Sequence, residues 1–399
     1  METIEIAPGR RRGTVQVPFS KSHLHRLLIA EFLSGRRDFG EAYHGVGADV
    51  DATIRCLKSL GDAMTTLRRK NAAERDYGET PTLDCGESGS TLRFMLPVAM
   101  TQLDSALFTA SGRLPQRPIA PFLEILAKHG VRYADAQFPL QLQGKLKSGE
   151  YEVRGDISSQ IVTGLLFALP CLDGDSVITL TTPLESRGYV DMTLDVMRKF
   201  GIDVPVTEKS FTVCGNQKYR MPAQISPECD WSGAAFWLVM NFLGSEISIP
   251  GLESDSRQPD RIIMQLLEFQ QDIIDVSQCP DSFPVLAVAA AARTADTTFT
   301  GVHRLRLKES DRLAAMADVL SRFGVPTEAG EDFYIVHGIG PHFRGGITID
   351  TYNDHRIAMA SAVAATVADA PVIIENPSCA AKSYPDFFRQ FSDLATQGV

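Results

Sequence analysis

The chain has 399 residues, with 49 acidic and 39 basic side chains and a formal net charge of −10. This acidic balance disfavours nucleic acid as a partner, and no apolar run reaches the roughly 20 residues of a membrane-spanning helix. The length exceeds what one hydrophobic core usually supports, so the sequence predicts two domains.

The cysteines and the first residues indicate the cellular compartment of the protein. The seven cysteines are odd in number and form no CxxC pair, which favours free thiols in a reducing environment. The segment METIEIAPGRRRG lacks the apolar core of a secretory signal. We therefore expect a cytoplasmic protein.

Six short polar turns each open directly into an apolar helical stretch. The intervals between them are 67, 71, 71, 51 and 73 residues. A spacing this regular is typical of duplicated structural units. The interval of 51 predicts that the fourth unit lacks about 20 residues, its closing strand pair. The turns lie around Lys21, Ser88, Ser159, Asp230, Asp281 and Asp354.

A second series of amphipathic helices lies between the first. Four of these helices are predicted to end at a glycine, which suits the left-handed turn after a helix. These glycines are Gly61, Gly130, Gly201 and Gly324. With strand-like segments such as YEVRG and GITIDTY, each unit is predicted as strand, helix, strand, helix and closing strands. The sequence thus predicts an α/β fold of six repeats of about 66 residues, with a domain break near Pro227.

The polar turns are rich in cations. A Lys or Arg in the first turn of a helix opposes the helix dipole unless an anion is also present. One such residue is usually a solvated surface charge, but nine on matching turns favour a site for ligands with several negative charges. The nine are Lys21, Arg26, Arg93, Arg117, Arg187, Lys308, Arg312, Arg356 and Lys382.

Two of the turns carry groups suited to phosphate. The small residues of GESGSTLR, around Gly89, let backbone N–H groups approach an oxyanion. No GK[ST] follows, which argues against a nucleotide-binding loop. Two hydroxyls and an amide, at Ser158, Ser159 and Gln160, suit a phosphate monoester, although one serine could serve as a plain helix cap.

The segment RLRLKESDRL brings charged groups together. Lys308 and Arg312 fall on one helix face with Glu309 beside them, which a structural salt bridge would also explain. Asp281, at another helix start, supplies a second carboxylate, and two carboxylates in different environments can divide acid and base work. His355 has no partner at metal-ligand spacing, so we expect no metal site.

Nine short motifs follow one another from end to end of the chain. They are SKSHLHR, GESGSTLR, QRPI, SSQ, ESRGY, PDS, LKESDR, NDHR and AAKSYPDF. In these motifs and their order the chain resembles the EPSP synthases, a family of enolpyruvyl transferases. The resemblance implies a two-domain inside-out α/β barrel of six βαβαββ repeats, the fourth shortened, with the active site in the interdomain cleft. Domain I would comprise residues 1–19 and 228–399, and domain II residues 20–227.

The resemblance also implies a reaction. The family transfers the enolpyruvyl group of phosphoenolpyruvate to the 5-hydroxyl of shikimate 3-phosphate by addition and elimination, and releases phosphate. These two anions would be the partners of a monomeric enzyme that needs no cofactor. Shikimate 3-phosphate would be held by Lys21, Ser22, Arg26, Ser158, Ser159, Gln160, Ser186, Tyr189, Asp281 and Lys308. Phosphoenolpyruvate would be held by Lys21, Gly89, Arg117, Gln160, Arg312, Arg356 and Lys382.

By the same resemblance, three residues would carry the proton transfers. Asp281 would accept the proton of the attacking hydroxyl. Glu309, together with Lys21, would serve the methylene carbon and the bridging oxygen of phosphoenolpyruvate.

Two positions depart from the family pattern. Glu87 stands where the family often has Asn, so it either pairs with a local cation such as Arg93 or weakens phosphoenolpyruvate binding. Arg304 stands where some relatives have Asn near the shikimate ring, so we assign no substrate contact to it.

Two other functions stay open. One is a catalytically silent homologue that binds shikimate 3-phosphate. The other is an enolpyruvyl transferase that acts on UDP-N-acetylglucosamine. That group typically has a Cys before the Arg-Pro pair and an Asn after the first Lys, and this chain has neither.

Overall fold

The computed structural model describes residues 2–39, 43, 46–69 and 80–397. The chain divides into two compact units. Unit 1 comprises Met1–Ser20 and Glu228–Val399, and unit 2 comprises Lys21–Pro227. The domains expected from the sequence, residues 1–19 with 228–399 and residues 20–227, stay a prediction.

The chain begins with two strands of unit 1, β1 (Thr3–Ile6) and β2 (Arg10–Thr14), and then enters unit 2. The helices of unit 2 are α1 (Lys21–Leu33), α2 (Ala48–Arg69), α3 (Gly89–Gln102), α4 (Ala120–Lys128), α5 (Ser159–Ala168) and α6 (Arg187–Lys199). Its strands are β3 (Thr82–Asp84), β4 (Ser105–Thr109), β5 (Arg132–Tyr133), β6 (Leu140–Gln143), β7 (Glu150–Val153), β8 (Ser176–Leu180) and β9 (Ser210–Val213).

The rest of unit 1 follows residue 228. Its helices are α7 (Trp231–Phe242), α8 (Ile263–Leu266), α9 (Phe283–Ala291), α10 (Arg312–Arg322), α11 (His355–Ala365) and α12 (Phe387–Asp393). Its strands are β10 (Glu246–Ser248), β11 (Ile273–Asp275), β12 (Thr297–Thr300), β13 (Thr327–Ala329), β14 (Phe333–Val336), β15 (Ile347–Ile349), β16 (Val372–Glu375) and β17 (Ala395–Gln397).

Four sheets share one arrangement. In each, two parallel strands are joined by a helix, and the second strand pairs with an antiparallel strand on its other side. The parallel pairs are β3 with β4, β7 with β8, β11 with β12, and β15 with β16. The antiparallel partners of the second strands are β6, β9, β14 and β1. The connecting helices are α3, α5, α9 and α11.

The fifth sheet departs from this arrangement. Its parallel pair is β2 with β10, and its antiparallel strand, β17, pairs with β2 instead of β10. Among the described strands, β10 therefore has one neighbour only. Asn241, near the end of α7, contacts this edge: its Nδ2 donates to the Ile247 carbonyl at 2.8 Å, and its Oδ1 accepts from the Ile247 N–H at 2.7 Å. A side-chain amide thus satisfies the backbone groups of Ile247.

The connecting helices form the centres of the two units. Every residue of α9 is buried, and α11 is buried throughout, as expected of helices that are apolar all round. In unit 2, α3 and α5 approach closely at Gly164, where a Cβ atom would lie 2.4 Å from the Arg93 carbonyl oxygen. These helices lie at the centre of each unit and start at the polar turns. The charged residues of the turns therefore lie at the ends of the hydrophobic cores.

One predicted helix end is wrong. Gly130, Gly201 and Gly324 follow α4, α6 and α10 with φ values of 93°, 79° and 85°, as predicted. Gly61 instead lies inside α2, which continues to Arg69. A Cβ atom at Gly61 would be 3.5 Å from the Phe32 ring and 3.2 Å from Arg37. The tighter of these contacts is with the Arg37 side chain. The signal of this glycine in the sequence is the same as that of a helix end.

Candidate active site

Six charged residues of unit 1 meet at the starts of α9, α10 and α11, and we call them the Asp281 cluster. Asp281 accepts hydrogen bonds from three cations: its Oδ1 lies 3.4 Å from Lys308 Nζ and 2.9 Å from Arg312 Nη1, and its Oδ2 lies 3.0 Å from Arg356 Nη2. The members of the cluster are Asp281, Lys308, Glu309, Arg312, Asp354 and Arg356. The residues that LKESDR, PDS and NDHR contribute are thus adjacent in the fold.

Arg312 lies at the centre of this cluster, with 1% of its side chain exposed. It donates to Asp354 Oδ2 from Nε at 2.9 Å and to Glu309 Oε2 from Nη2 at 2.9 Å, besides the bond to Asp281. Burial alone would lower the pKa of Arg312, but the nearby carboxylates, Asp354 first, raise the pKa above its ordinary value. The guanidinium therefore stays charged at any physiological pH.

Lys308 differs from the arginines because its charge is titratable. Burial lowers the pKa of Lys308 to about 8, and the negative charge of Asp281 opposes this shift only in part. Arg304, one of the two departures from the family pattern, also lowers this pKa through its positive charge. The Arg304 Nη2 atom donates to the Ser277 carbonyl at 3.1 Å.

Asp354 is a cluster member that the sequence analysis did not assign to the site. It caps α11 by accepting the Arg356 N–H at 2.9 Å, and it accepts the Ser310 hydroxyl at 3.0 Å. Burial would raise the pKa of Asp354, but the positive charge of Arg312 lowers it below the ordinary value. The available signal was the Asp at a helix start, which predicts a cap but not a partner 42 residues away.

In unit 2, Lys21 is the first residue of α1 and pairs with Asp49 at the start of α2. The Nζ to Oδ2 distance is 3.1 Å, and the two side chains are 14% and 6% exposed. The Asp49 carbonyl accepts the Thr91 hydroxyl at 3.3 Å, and that hydroxyl also lies 2.8 Å from Ser88 Oγ. These contacts join the lysine to the cap of α3, whose N-cap residue is Ser88.

The turn at Gly89 forms a second cationic group, which we call the Gly89 cluster. A Cβ atom at Gly89 would lie 2.8 Å from Arg93 Nη1 and 2.9 Å from Arg117 Nη1, so a larger residue would displace at least one of the two guanidinium groups. Arg93 Nη1 donates to Gln160 Oε1 at 3.3 Å, and Gln160 Nε2 donates to Ser90 Oγ at 2.9 Å. The members are Gly89, Arg93, Arg117 and Gln160. Arg93 appeared in the sequence as a turn cation, without an assigned ligand.

The Arg26 side chain is buried inside unit 2. It is 3% exposed, and its donors bond to Thr193 Oγ1 at 2.8 Å, to the Tyr189 carbonyl at 2.8 Å and to the Ser22 carbonyl. Burial lowers its pKa to about 10. These bonds link α1 to α6, so the structure gives Arg26 a packing role, and its predicted contact with a ligand stays a prediction.

The other predicted site residues lie at helix starts or turns. Ser158 caps α5 by accepting the Gln160 N–H at 3.2 Å, and Ser159 is buried. Ser186 precedes α6 with a positive φ of 55° and is buried. Lys382 ends the 3-10 turn Pro377–Lys382 in unit 1 and is partly exposed.

Glu87, the other departure from the family pattern, lies against the turn at Gly112. A Cβ atom at Gly112 would be 2.4 Å from Glu87 Oε1. Since Gly112 also has a positive φ of 58°, glycine is required there by both conformation and space. The carboxylate therefore lies beside the turn that leads to Arg117.

The described residues contain neither a metal-ligand grouping nor a membrane-spanning helix. No three His, Cys, Asp or Glu side chains in this part of the chain are grouped as ligands of a metal ion. None of the helices described combines the length and hydropathy that a bilayer crossing requires.

Comparisons with known proteins agree on one family. The profile of the family described as EPSP synthase (3-phosphoshikimate 1-carboxyvinyltransferase) matches residues 6–391. A 3-phosphoshikimate 1-carboxyvinyltransferase of Clostridium kluyveri is 40% identical over 425 residues, covering 99% of this chain and 97% of the relative. One of Clostridioides difficile is 36% identical over 438 residues, covering 99% and 98%.

Solved structures show the same fold. EPSP synthase from Acinetobacter baumannii superposes with a TM-score of 0.76 at 23% identity, covering 100% of this chain and 99% of the other. The enolpyruvyl transferase NikO from Streptomyces tendae gives a TM-score of 0.72 at 16% identity, covering 99% and 98%. The mixed α/β fold that the sequence predicts is thereby confirmed.

Proposed function

The chain belongs to the EPSP synthase family, and from this premise we propose how its residues transfer the enolpyruvyl group of phosphoenolpyruvate to the 5-hydroxyl of shikimate 3-phosphate. The reaction releases phosphate and belongs to aromatic amino-acid biosynthesis. The Asp281 cluster is the observation that carries the residue assignments, because three distant motifs bring their charged side chains together there.

The reaction must bring two polyanions together. Two unit charges 4 Å apart repel by about 4 kcal/mol at the effective dielectric of a protein surface. Cations fixed at helix starts offset this repulsion without reorganising during the reaction. The Asp281 cluster in unit 1 and the Gly89 cluster with Lys21 in unit 2 supply these cations.

The substrate assignments draw residues from both units. Shikimate 3-phosphate is held by Lys21, Ser22, Arg26, Ser158, Ser159, Gln160, Ser186, Tyr189, Asp281 and Lys308. Phosphoenolpyruvate is held by Lys21, Gly89, Arg117, Gln160, Arg312, Arg356 and Lys382. Arg93 joins this second set because its guanidinium shares the space at Gly89 with Arg117.

Addition comes first. Asp281 accepts the proton of the 5-hydroxyl as its oxygen attacks the central carbon of phosphoenolpyruvate, while Glu309 in its protonated form, assisted by Lys21, delivers one proton to the methylene carbon. Asp281 is held in place by hydrogen bonds from Lys308, Arg312 and Arg356.

Elimination completes the transfer. The tetrahedral intermediate loses phosphate from the central carbon and a proton from the neighbouring methyl carbon, so the double bond forms again. Glu309 accepts this proton, and Lys21 protonates the bridging oxygen as it leaves. The Arg312 Nη2 atom donates to Glu309 Oε2 at 2.9 Å, which places that carboxylate beside an arginine assigned to phosphoenolpyruvate.

The finer architecture is part of the same proposal. We assign the five described sheets to an inside-out barrel of six repeats, three in each of two domains. The repeat that begins at Lys21 contributes α1 and α2 to the described residues. The fourth repeat is the shortened one, because its second helix α8 is followed by β11 without a closing strand pair of its own. The seven cysteines are free thiols, which supports the proposed cytoplasmic location, and we propose a monomer.

Phosphate release tests the function. Purified protein with both substrates should release phosphate, and omission of either substrate should abolish the release. Asp281→Asn should lower kcat by about 10²- to 10⁴-fold, whereas Asp369→Asn, at an exposed aspartate of the same unit, should leave kcat unchanged.

The alternatives give other outcomes in the same assay. Release with UDP-N-acetylglucosamine in place of shikimate 3-phosphate would identify the other transferase. Binding of shikimate 3-phosphate without any release would identify a silent homologue. Relatives at 36–40% identity carry the EPSP synthase name, so we expect neither result.

A further inference from the structure

We propose that Asp354 is a positioning residue that fixes the Nε edge of Arg312 and thereby sets the affinity for phosphoenolpyruvate. The inference rests on the proposed function, in which Arg312 and Arg356 hold this substrate. Asp354 itself is fully buried, so it acts through the arginines and not by touching the substrate.

The three carboxylates around Arg312 are not equivalent. The side chains of Asp281 and Glu309 are 19% and 13% exposed, whereas that of Asp354 is 0% exposed. An anionic ligand can therefore displace the first two from the Nη atoms of Arg312. It cannot reach the Nε atom, which donates to Asp354 Oδ2 at 2.9 Å. Asp354 is thus the permanent partner, and the other two hold the arginine until substrate arrives.

The guanidinium geometry explains why this edge matters. Arg presents five N–H donors in a planar fork. A carboxylate on the Nε edge fixes the plane of the fork and leaves the Nη atoms to an incoming carboxylate or phosphate. The second oxygen of Asp354 supports this arrangement, since Oδ1 lies 3.4 Å from Arg312 Nη2.

The same carboxylate fixes the other arginine through the backbone. Asp354 Oδ1 accepts the Arg356 N–H at 2.9 Å and so holds the first turn of α11. Ser310, two residues before Arg312, donates to Oδ2 at 3.0 Å. The buried Asp354 side chain therefore fixes the positions of two cations, Arg312 and Arg356, which contact Asp281 from two different helices.

Asp354→Asn removes the negative charge of this side chain but keeps its capping oxygen. The amide keeps an oxygen for the Arg356 N–H, and Asn caps helices about as well as Asp. Its NH₂ group replaces Oδ2, where it can donate to the Ser310 hydroxyl but faces the Nε–H of Arg312 donor to donor. The substitution therefore removes the hydrogen bond from Arg312 Nε, while the cap remains.

The test is a steady-state comparison with both substrates varied in turn. We expect Asp354→Asn to raise the KM for phosphoenolpyruvate at least about tenfold, in line with the loss of a charged hydrogen bond, and to change the KM for shikimate 3-phosphate less than twofold. The matched control is Asp311→Asn. This residue caps the neighbouring helix α10 through the N–H groups of Leu313 and Ala314, and its variant should match the wild type.

A second variant keeps the test decisive if Asp354→Asn fails to fold in a circular-dichroism melt. Ser310→Ala removes the hydroxyl that donates a hydrogen bond to Asp354 Oδ2 and leaves all charges in place. We expect it to raise the KM for phosphoenolpyruvate about two- to fivefold, again without a change for shikimate 3-phosphate.

Failure of the inference and failure of the proposed function are distinguishable. A wild type that releases no phosphate overturns the proposed function, and this inference with it. An active wild type whose Asp354→Asn variant loses kcat alone, or loses affinity for both substrates equally, overturns the inference only. The same holds if Asp311→Asn shows an equal change.

Discussion

At the scale of single residues, Lys308 is the group whose charge depends on pH in the working range. Its pKa of about 8 lies below the ordinary 10.5 because burial disfavours the ammonium form. The ammonium form of Lys308, which we assign to shikimate 3-phosphate, is therefore largely present at pH 7, about half present near pH 8 and lost above it. We expect kcat/KM for this substrate to decline between pH 7 and 8 and then to fall up to tenfold per unit, since kcat/KM reports the free enzyme.

Lys308→Arg is the control for this profile. A guanidinium stays charged throughout this range, so the fall above pH 8 should disappear even if the rate at pH 7 is lower. A profile that still breaks near pH 8 in this variant would assign the titration to another group.

A prediction for Gly89 follows from the small space around its Cα atom. A methyl group there would lie within 3 Å of two guanidinium nitrogens, those of Arg93 and Arg117, and one of the two arginines must move. We expect Gly89→Ala to raise the KM for phosphoenolpyruvate roughly tenfold or more and to leave the KM for shikimate 3-phosphate within twofold. Thr101→Ala, at the opposite end of α3, is the matched control. An unchanged KM for phosphoenolpyruvate would remove Gly89 from the assigned set.

At the scale of elements, the edge of β10 is the feature that sets the fifth sheet apart. In the other four sheets the corresponding strand has an antiparallel neighbour. On β10, the Asn241 carboxamide bonds to both backbone groups of Ile247. An edge strand with free backbone groups is a template for pairing with another chain, so Asn241 stabilises the strand and also protects the edge.

Asn241→Leu should therefore destabilise the protein and promote association. Two hydrogen bonds are lost, each worth about 1 kcal/mol net, so we expect a decrease of about 1–3 kcal/mol in the free energy of unfolding. We also expect larger species in light scattering at high concentration. Gln102→Leu is the control, because this amide ends α3 but donates only to the Thr101 hydroxyl. Equal effects of the two substitutions would show that the edge is not special.

At the scale of the whole molecule, the assigned ligand sets combine residues of both units. A ligand at 100 times its Kd stabilises the folded state by about 2.7 kcal/mol. We expect shikimate 3-phosphate to raise the melting temperature by several degrees. Lys21→Ala in unit 2 and Asp281→Ala in unit 1 should each remove most of this shift.

The control for this shift is sulfate at the same ionic strength. General anion binding would raise the melting temperature equally with sulfate and with shikimate 3-phosphate. A shift that survives Lys21→Ala but not Asp281→Ala would confine the ligand to unit 1 and contradict the assignment.

The sequence by itself determined the features that depend on neighbouring residues. Helix caps are of this kind, because a cap is made by a side chain and the N–H groups two or three residues later. Ser88, Ser158, Asp230 and Asp354 therefore cap the helices that the polar turns predicted. The mixed α/β fold followed from the repeated spacing, and the family followed from nine motifs in order.

Only the tertiary structure decided which distant groups meet and which space is filled. The pairing of Arg312 with Asp354 spans 42 residues, and nothing adjacent to either residue specifies it. Arg26 carries the same local signal as Lys21, yet packing places it between α1 and α6. Gly61 has the sequence pattern of a helix end and yet lies inside α2, which continues to Arg69. Long-range packing sets these outcomes, since a side chain's partners depend on every element that reaches it.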